Sequence, residues 1–250
     1  MALHSRRWLL MVLTSCFATS LFARPAIAAD GWWIDQYAVI LFTATGRLDA
    51  ELKEMRIEGA DTLLVHADSL PPLLLRWVAW RASLQNMKSV AWVQRPTLQR
   101  LKHASSLNGY AALQVDDHFF ADPIVSFSQL RQMIGKKQLW CSFQPNQFSE
   151  FLARNCDHVD VQIYRMSCPA TIDLADRLGL LGRPQSAIAV YHDGTSQADR
   201  DLQCFRQAGR DVRNSIFVFK WKNPGSVLSR FLKHPLVARL ERIYIQLFKD

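Results

Sequence analysis

The chain has 250 residues, of which 49% are hydrophobic and 21% charged, with a formal net charge of +8. The basic excess is modest and includes no long run of Lys or Arg, so the composition does not indicate a nucleic-acid-binding protein. A chain of this length can bury one good core, which suits a single α/β domain.

Residues 1–29 have the three-part layout of a secretory signal peptide. Two arginines precede the apolar stretch Trp8–Phe22, and Ala26-Ile27-Ala28 supplies the small residues of a cleavage site. The apolar stretch is short for a bilayer span, so we expect a cleaved leader, no membrane span and a periplasmic or secreted protein. Without this leader, 27 basic and 22 acidic residues remain, a net charge of +5. Because Leu13-Thr14-Ser15-Cys16 fits a lipoprotein box, a lipid anchor on Cys16 is the alternative.

Eight short apolar runs follow the leader, each apolar on both faces, as parallel strands covered by helices must be. The predicted strands are Ala38–Thr43, Thr62–Ala67, Ser89–Gln94, Ala112–Asp117, Gln138–Phe143, Val159–Tyr164, Ala187–His192 and Ser215–Trp221. Helical spacing and helix-start residues predict the segments between them as helices. These are Leu73–Gln85, Leu98–Ala104, Phe127–Ile134, Gln147–Asn155, Ile172–Leu180 and Gln197–Ala208, with helix ends at Gly135 and Gly209.

Eightfold alternation of strand and helix predicts an α/β fold, a single (β/α)8 TIM barrel over residues 30–250. A doubly wound open sheet is the alternative, but no glycine-rich phosphate loop follows the first predicted strand. The segment Val227–Phe248 is interpreted as the closing helix or helix pair.

Four cysteines follow the leader, and their spacing matches no common zinc pattern. An oxidising compartment permits disulfides. Cys168 should lie near the start of the predicted helix Ile172–Leu180 and Cys204 within Gln197–Ala208, which are neighbours in a barrel. We therefore expect a Cys168–Cys204 bridge, with Cys156–Cys168 as the alternative. Cys141 lies inside an apolar run and is interpreted as a core residue.

Polar residues cluster at the carboxyl ends of the predicted strands, where the sites of such barrels lie. They are His66, Asp68, Gln94, Arg95, Asp116, Asp117, His118, Gln144, Gln162, Tyr164, Arg165, His192, Asp193, Lys220 and Trp221. Side chains alternate along a strand, so Gln114 and Asp116 should point into the barrel while Leu113, Val115 and Asp117 point outward. The same alternation directs Gln162 and Tyr164 inward.

Two stretches resemble a known family. The strand-four motif of the bacterial glycosyl-hydrolase-like family 10 domain resembles residues 112–119, ALQVDDHF. That family's segment from strand five through strand six resembles residues 141–165, CSFQPNQFSEFLARNCDHVDVQIYR. The resemblance spans roughly residues 38–224 and implies a barrel that acts on bacterial glycans through the carboxylate matching Asp116 or Asp117. Family members are often longer, and VYHDG at residues 190–194 departs from the family's pattern.

Glycoside cleavage needs a proton donor and usually a second carboxylate. We interpret Asp116 as the acid, with a pKa raised by the charge of Asp117, and Asp193 as a distant partner across the barrel. The residues interpreted as holding the site or binding substrate are Gln114, Gln162, His118, His66 and His192. Tyr164 and Arg165 are interpreted as residues that contact substrate or orient the carboxylates. The flat side chains on which sugar rings could pack are Trp92, Tyr164 and Trp221. A polysaccharide substrate is expected, and neither a metal nor a cofactor.

Structural roles compete with each of these interpretations. Asp117 is better explained as a residue that fixes the loop, and Asp193-Gly194 has the composition of a turn. Two other functions remain open: a metal-dependent polysaccharide deacetylase, because an Asp pair with histidines can hold a divalent cation, and a glycan-binding barrel without catalysis.

Overall fold

The protein is a (β/α)8 barrel. The computed structural model describes residues 31–164, 166–183, 185–192, 200, 203–205, 207 and 215–220. The strands are β1 (Gly31–Ile34), β2 (Thr62–His66), β3 (Lys88–Val93), β4 (Ala112–Val115), β5 (Gln138–Phe143), β6 (His158–Gln162), β7 (Ser186–His192) and β8 (Ser215–Lys220). The helices bounded within those residues are α1 (Gln36–Ala44), α2 (Leu48–Ile57), α3 (Pro72–Ser83), α4 (Leu98–Ser106), α5 (Asp117–Ala121), α6 (Phe127–Ile134), α7 (Glu150–Ala153) and α8 (Cys168–Arg177).

The eight strands are all parallel, and the sheet closes on itself through pairing of β1 with β8. The open doubly wound sheet is therefore excluded. The leader, most of the predicted helix 197–208, Gly209 and the segment 227–248 lie outside the described residues. Among the described helices, none has both the length and the apolar character needed to cross a membrane.

The first strand was predicted in the wrong place. Residues 38–43 are part of helix α1, and the strand is the preceding Gly-Trp-Trp-Ile segment. Asp35 caps the helix, since its carboxylate accepts the backbone N–H of Ala38 at 2.7 Å. A short apolar run has the same appearance in a strand and in a helix that packs on a core, so its periodicity could not decide between them.

Two predicted helices also begin elsewhere. The fourth helix is only Glu150–Ala153, because Ser149 caps it by accepting the N–H of Leu152. The helix predicted at residue 172 begins at Cys168, where a proline in the first turn favours helix initiation. The bounds of β5 and α6 agree with their predictions, and a capping box at Ser126 explains the start of α6.

The barrel interior is filled mainly by aromatic side chains. Trp33, Trp140 and Phe217 pack together there with small alanines of β4 and β7. Gly31 makes room for this packing, because a Cβ at its position would lie 2.7 Å from the Phe217 ring. A second and larger apolar core lies between the outer faces of the strands and the helices. The lower barrel is thus a packed core, which leaves the carboxyl ends of the strands for a site.

Two disulfides are present among the described residues. Cys168–Cys204 confirms the expected bridge, whereas Cys141 is bonded to Cys156 and is not a free core thiol. The alternative Cys156–Cys168 pairing is therefore wrong. The prediction failed for Cys141 because this residue lies on the outer face of β5, close to the chain that enters β6, and sequence spacing does not show this proximity.

The Cys168–Cys204 bridge closes a loop of 36 residues. We predict that Cys168→Ala lowers the free energy of unfolding by about 2–4 kcal/mol, because the unfolded chain regains the entropy that the cross-link removes. Thermal unfolding under non-reducing conditions measures the effect. Cys204→Ala should cost a similar amount, and the double variant should be little worse than either; additive losses would contradict a shared bond.

Candidate functional site

Asp116 lies directly after β4, at the carboxyl end of the barrel, and is the N-cap of α5. Its Oδ1 accepts the backbone N–H of Asp117 at 2.9 Å and also a hydrogen bond from the side-chain amide of Gln162. Its Oδ2 accepts the indole N–H of Trp92 at 3.1 Å. The side chains of Asp116, Trp92 and Gln162 therefore meet at the barrel mouth, from the ends of β3, β4 and β6, as the alternation of Gln114 and Asp116 predicted.

Burial governs the acidity of Asp116, which is only 4% exposed. Loss of solvation and, second, the nearby charge of Asp117 raise the pKa of Asp116 to about 7, against the opposing effect of the three hydrogen-bond donors. The expected elevation is present, but its main cause is burial; the Asp117 charge comes second. At neutral pH this carboxyl group is divided between its acid and its carboxylate forms.

A second carboxyl group, Asp160 on β6, lies fully buried in the barrel. It accepts the amide of Gln114 at 2.5 Å and the hydroxyl of Ser142. The Ser142 hydroxyl in turn accepts the second N–H of the Gln162 amide at 2.9 Å. Gln162 thus bridges Asp116 to Ser142, and Ser142 bridges to Asp160. Burial holds the pKa of Asp160 well above its usual range, with a further contribution from the charge of Asp116.

Gln114 extends the network to β1. Its amide oxygen accepts the indole N–H of Trp33 at 2.9 Å. We call the connected side chains Trp33, Gln114, Asp160, Ser142, Gln162, Asp116 and Trp92 the carboxyl network. Asp160 and Ser142 were missed in the sequence, although Asp160 lies two residues before Gln162 and therefore on the same inward face of β6. A single acid between apolar neighbours of a buried strand was the available signal.

Asp117 opens α5 and is more exposed than Asp116. Its Oδ1 lies 2.9 Å from Nδ1 of His118, and its Oδ2 accepts the side-chain amide of Gln144 at 2.5 Å. The backbone oxygen of Asp117 also accepts the amide of Gln147 at 3.2 Å. Asp117 therefore orients the His118 ring and ties the loop after β4 to the loop after β5. Asp117 is the first residue of α5, and the N-cap of this helix is Asp116.

Tyr164 and His66 complete the described part of the mouth. Tyr164 packs in the interior aromatic cluster and edge-on against Tyr191, with ring centroids 6.2 Å apart. Burial and the neighbouring carboxylates raise the pKa of Tyr164, so its phenol stays protonated. His66 ends β2, with its ring 4.8 Å from that of Trp92 and its Nε2 3.4 Å from Asp68. Asp68 accepts the backbone N–H groups of Gln94 and Arg95 and so supports the loop after β3.

Four of the predicted site positions fall outside the described part of the chain. Arg165, Asp193 and Trp221 lie outside the described residues, as does the side chain of His192. Their roles stay predictions.

Asp116, Asp117 and His118 each place one possible metal-ligand atom within 4.8 Å of the others. The Nδ1 of His118 is engaged by Asp117, which leaves Nε2 as its possible ligand atom. A metal would require Asp116 in its ionised form.

No protein-family model matches the sequence. No curated protein matches it either. The resemblance to the glycosyl-hydrolase-like family 10 domain therefore rests on the two sequence motifs alone.

The fold is nevertheless similar to that of solved structures. An active-site mutant of a β-1,3-glucanosyltransferase from Rhizomucor miehei, solved with laminaritriose, has a TM-score of 0.52 and 10% sequence identity, over 69% of this chain and 80% of that one. A second structure, the glycoside hydrolase family 17 β-1,3-glucanosyltransferase of the same organism, has a TM-score of 0.50, with the same identity and coverage. At such low identity these similarities establish a shared barrel fold.

The raised pKa of Asp116 predicts a specific pH dependence of stability. The folded state holds the Asp116 proton up to about pH 7, whereas an unfolded Asp releases it near pH 4. The stability that this protonation contributes is present below about pH 4 and is lost as the pH rises through 7. We predict that the stability of the wild type falls relative to Asp116→Asn across this window, as measured by thermal unfolding at successive pH values.

The comparison between variants removes other titrations. His158 acts in the opposite direction, because burial lowers its pKa to about 4 and the folded state gains stability as the pH rises from there. Asp173→Asn is a matched control, since Asp173 is exposed and paired with Arg177 on α8. A constant difference between the wild type and Asp116→Asn from pH 4 to 8 would contradict the elevated pKa.

Proposed function

We propose that the protein cleaves glycosidic bonds and that Asp116 is the proton donor. The observation that carries this proposal is a carboxyl group held at the barrel mouth by three donors, with a pKa of about 7. A glycosidase acid must keep its proton near neutral pH and release it only as the bond breaks. Burial supplies the first property, and the three donors favour the carboxylate that forms.

Hydrolysis requires two proton transfers and the replacement of one bond at the anomeric carbon by another. Asp116 gives its proton to the glycosidic oxygen as the bond from that oxygen to the anomeric carbon breaks, and the leaving sugar departs as an alcohol. Water then adds to the anomeric carbon and its proton passes to a carboxylate. Asp117 is the candidate second carboxylate among the described residues, because its side chain is only partly buried.

Asp160 has a different role in this proposal. It is fully buried and hydrogen-bonded to Gln114 and Ser142, so it is a positioning residue that acts on Asp116 through Ser142 and Gln162. Burial and the charge of Asp116 raise the pKa of Asp160, so Asp160 keeps its own proton when Asp116 ionises.

The substrate class is supported by three lines of argument. The two motifs resemble a family presumed to act on bacterial glycans, the residues of both motifs meet at one mouth, and the barrel shares its fold with a β-1,3-glucanosyltransferase. We therefore propose a bacterial cell-wall or exopolysaccharide glycan as the substrate. The predicted leader supports action in the periplasm or outside the cell.

Two other functions give different experimental results. A metal-dependent deacetylase is suggested by the cluster of Asp116, Asp117 and His118. It predicts stoichiometric metal in the purified protein and loss of activity on chelation. A barrel that only binds glycans predicts binding without turnover, unchanged in Asp116→Asn.

We predict that Asp116→Asn lowers turnover by roughly 10²–10⁴-fold, because a side-chain amide is too weak an acid to protonate the leaving oxygen. The wild type should lose the acid-dependent part of its activity as the pH rises through about 7, where Asp116 ionises. Turnover is measured as release of reducing ends from cell-wall glycans, exopolysaccharides and the β-1,3-glucan laminarin.

Thermal unfolding of each variant separates chemistry from folding. Asp173→Asn serves again as the surface control and should retain full turnover. Wild-type turnover in a folded Asp116→Asn protein would overturn the proposal. Loss of turnover that only follows loss of folded protein would make Asp116 a structural cap of α5.

A further inference from the structure

Helix α3 is apolar on two opposite faces. Leu75, Val78, Ala79 and Ala82 are buried against the barrel. The other face exposes Leu73, Trp77, Trp80 and Leu84, with Leu73 80% and Trp80 53% exposed. At 3.6 residues per turn these four side chains fall within an arc of about 60°. We call them the α3 stripe.

An outer helix of a soluble barrel normally presents polar side chains to solvent. In α3 only Arg76, Arg81 and Ser83 flank the stripe. The Arg81 guanidinium lies 5.2 Å from the Trp80 ring and 6.0 Å from that of Trp77, and it is also paired with Asp49 of α2. Exposing two tryptophans and two leucines in one row costs solvation free energy that contact with an apolar phase would recover.

The charge on α3 itself and toward α4 is positive. Residues 69–115, which include α3 and α4, contain six Lys or Arg residues and no Asp or Glu. Arg76 on α3, Lys88 at the start of β3 and Lys102 on α4 are all exposed. Asp68, directly before this range, has a buried side chain and is paired with Arg100 and His66. Acids also lie on α2, where Asp49 pairs with Arg81 and Glu51 pairs with Arg47.

We propose that the α3 stripe docks the protein on an anionic lipid surface. Tryptophan side chains are favoured at the boundary between headgroups and acyl chains, where their rings are buried and their N–H groups stay hydrated. Flanking Lys and Arg side chains bury their apolar stems and hold their charges at the headgroups. A helix with an apolar row, flanking cations and no acid has the composition of an interfacial helix, one that lies on the bilayer and does not cross it.

A second copy of the chain is a less suitable occupant. In a symmetric dimer the same surface meets itself, so the exposed Arg76 and Lys102 of one protomer would face a surface that carries the same cations. The acids nearest to this surface, Asp49 and Asp68, are already paired with Arg81 and Arg100. An anionic surface matches both the apolar row and the charge.

The experiment must report on the stripe itself, since the apolar segment Trp8–Phe22 can also bind lipid. The full chain is labelled with 5-fluorotryptophan, and the signals of Trp77 and Trp80 are assigned with Trp77→Phe and Trp80→Phe. A water-soluble gadolinium chelate should broaden both signals in solution. Bicelles that contain phosphatidylglycerol should protect both from the chelate, while Trp32 and Trp33, buried in the barrel, serve as internal references.

Variants then measure the strength of binding. In flotation with phosphatidylglycerol vesicles, Trp77→Ser/Trp80→Ser should weaken partitioning by at least about tenfold. Arg76→Gln should weaken it by about fivefold, an effect that high salt removes. Phe151→Ser is the matched control, because Phe151 on α7 is 79% exposed and lies away from the stripe. Vesicles of phosphatidylcholine alone should bind less.

Two results would overturn the proposal. The first is equal broadening of Trp77 and Trp80 by the chelate with and without bicelles. The second is a lipid-independent dimer in sedimentation equilibrium that the double serine variant dissociates, which would make the stripe an interface between copies. The unfolding temperature of each variant should stay near that of the wild type, because the substituted side chains are exposed.

Discussion

Two carboxyl groups share the interior of this barrel with no cation bonded to either in the part of the chain that the structure describes. Burying a charge without a counter-charge is costly, and the cost is reduced here by neutral donors and by protonation. Ser142 and Gln162 link the two groups, so the proton on one affects the other. Much of the site follows from this constraint: the raised pKa values, the fixed amides and the dependence of stability on pH.

The placement of this network depends on the packing below it. Trp33 and Trp140 fill the barrel interior near Phe217, and small residues on β4 and β7 leave room for them. Trp33 also donates to Gln114, so the aromatic core holds one end of the network directly. A loosely packed interior would let water reach Asp160 and would return both carboxyl groups toward ordinary acidity.

Much of the architecture could be predicted from the sequence, because buried parallel strands and their covering helices leave distinct patterns. The inward direction of Gln114 and Gln162 followed from side-chain alternation along the strands, and the meeting of their strand ends followed from the predicted barrel. The position of strand β1 could not be predicted from the sequence. The helix start at Asp35, which caps α1, decides the local structure, and hydrophobic periodicity does not reveal this cap. Asp160 was missed for another reason. Site residues were expected at the strand ends, whereas Asp160 lies in the middle of β6, where a buried acid is rare.

The Cys141–Cys156 bond lies next to the two strands that carry Ser142, Asp160 and Gln162. Cys141 precedes Ser142 on β5, and Cys156 lies two residues before β6, the strand that carries Asp160 and Gln162. The covalent link therefore joins, on the outside of the barrel, the two strands whose inward residues bridge the carboxyl groups. Without this bond, the placement of Ser142 and Gln162 would depend only on the hydrogen bonds and the packing of the sheet.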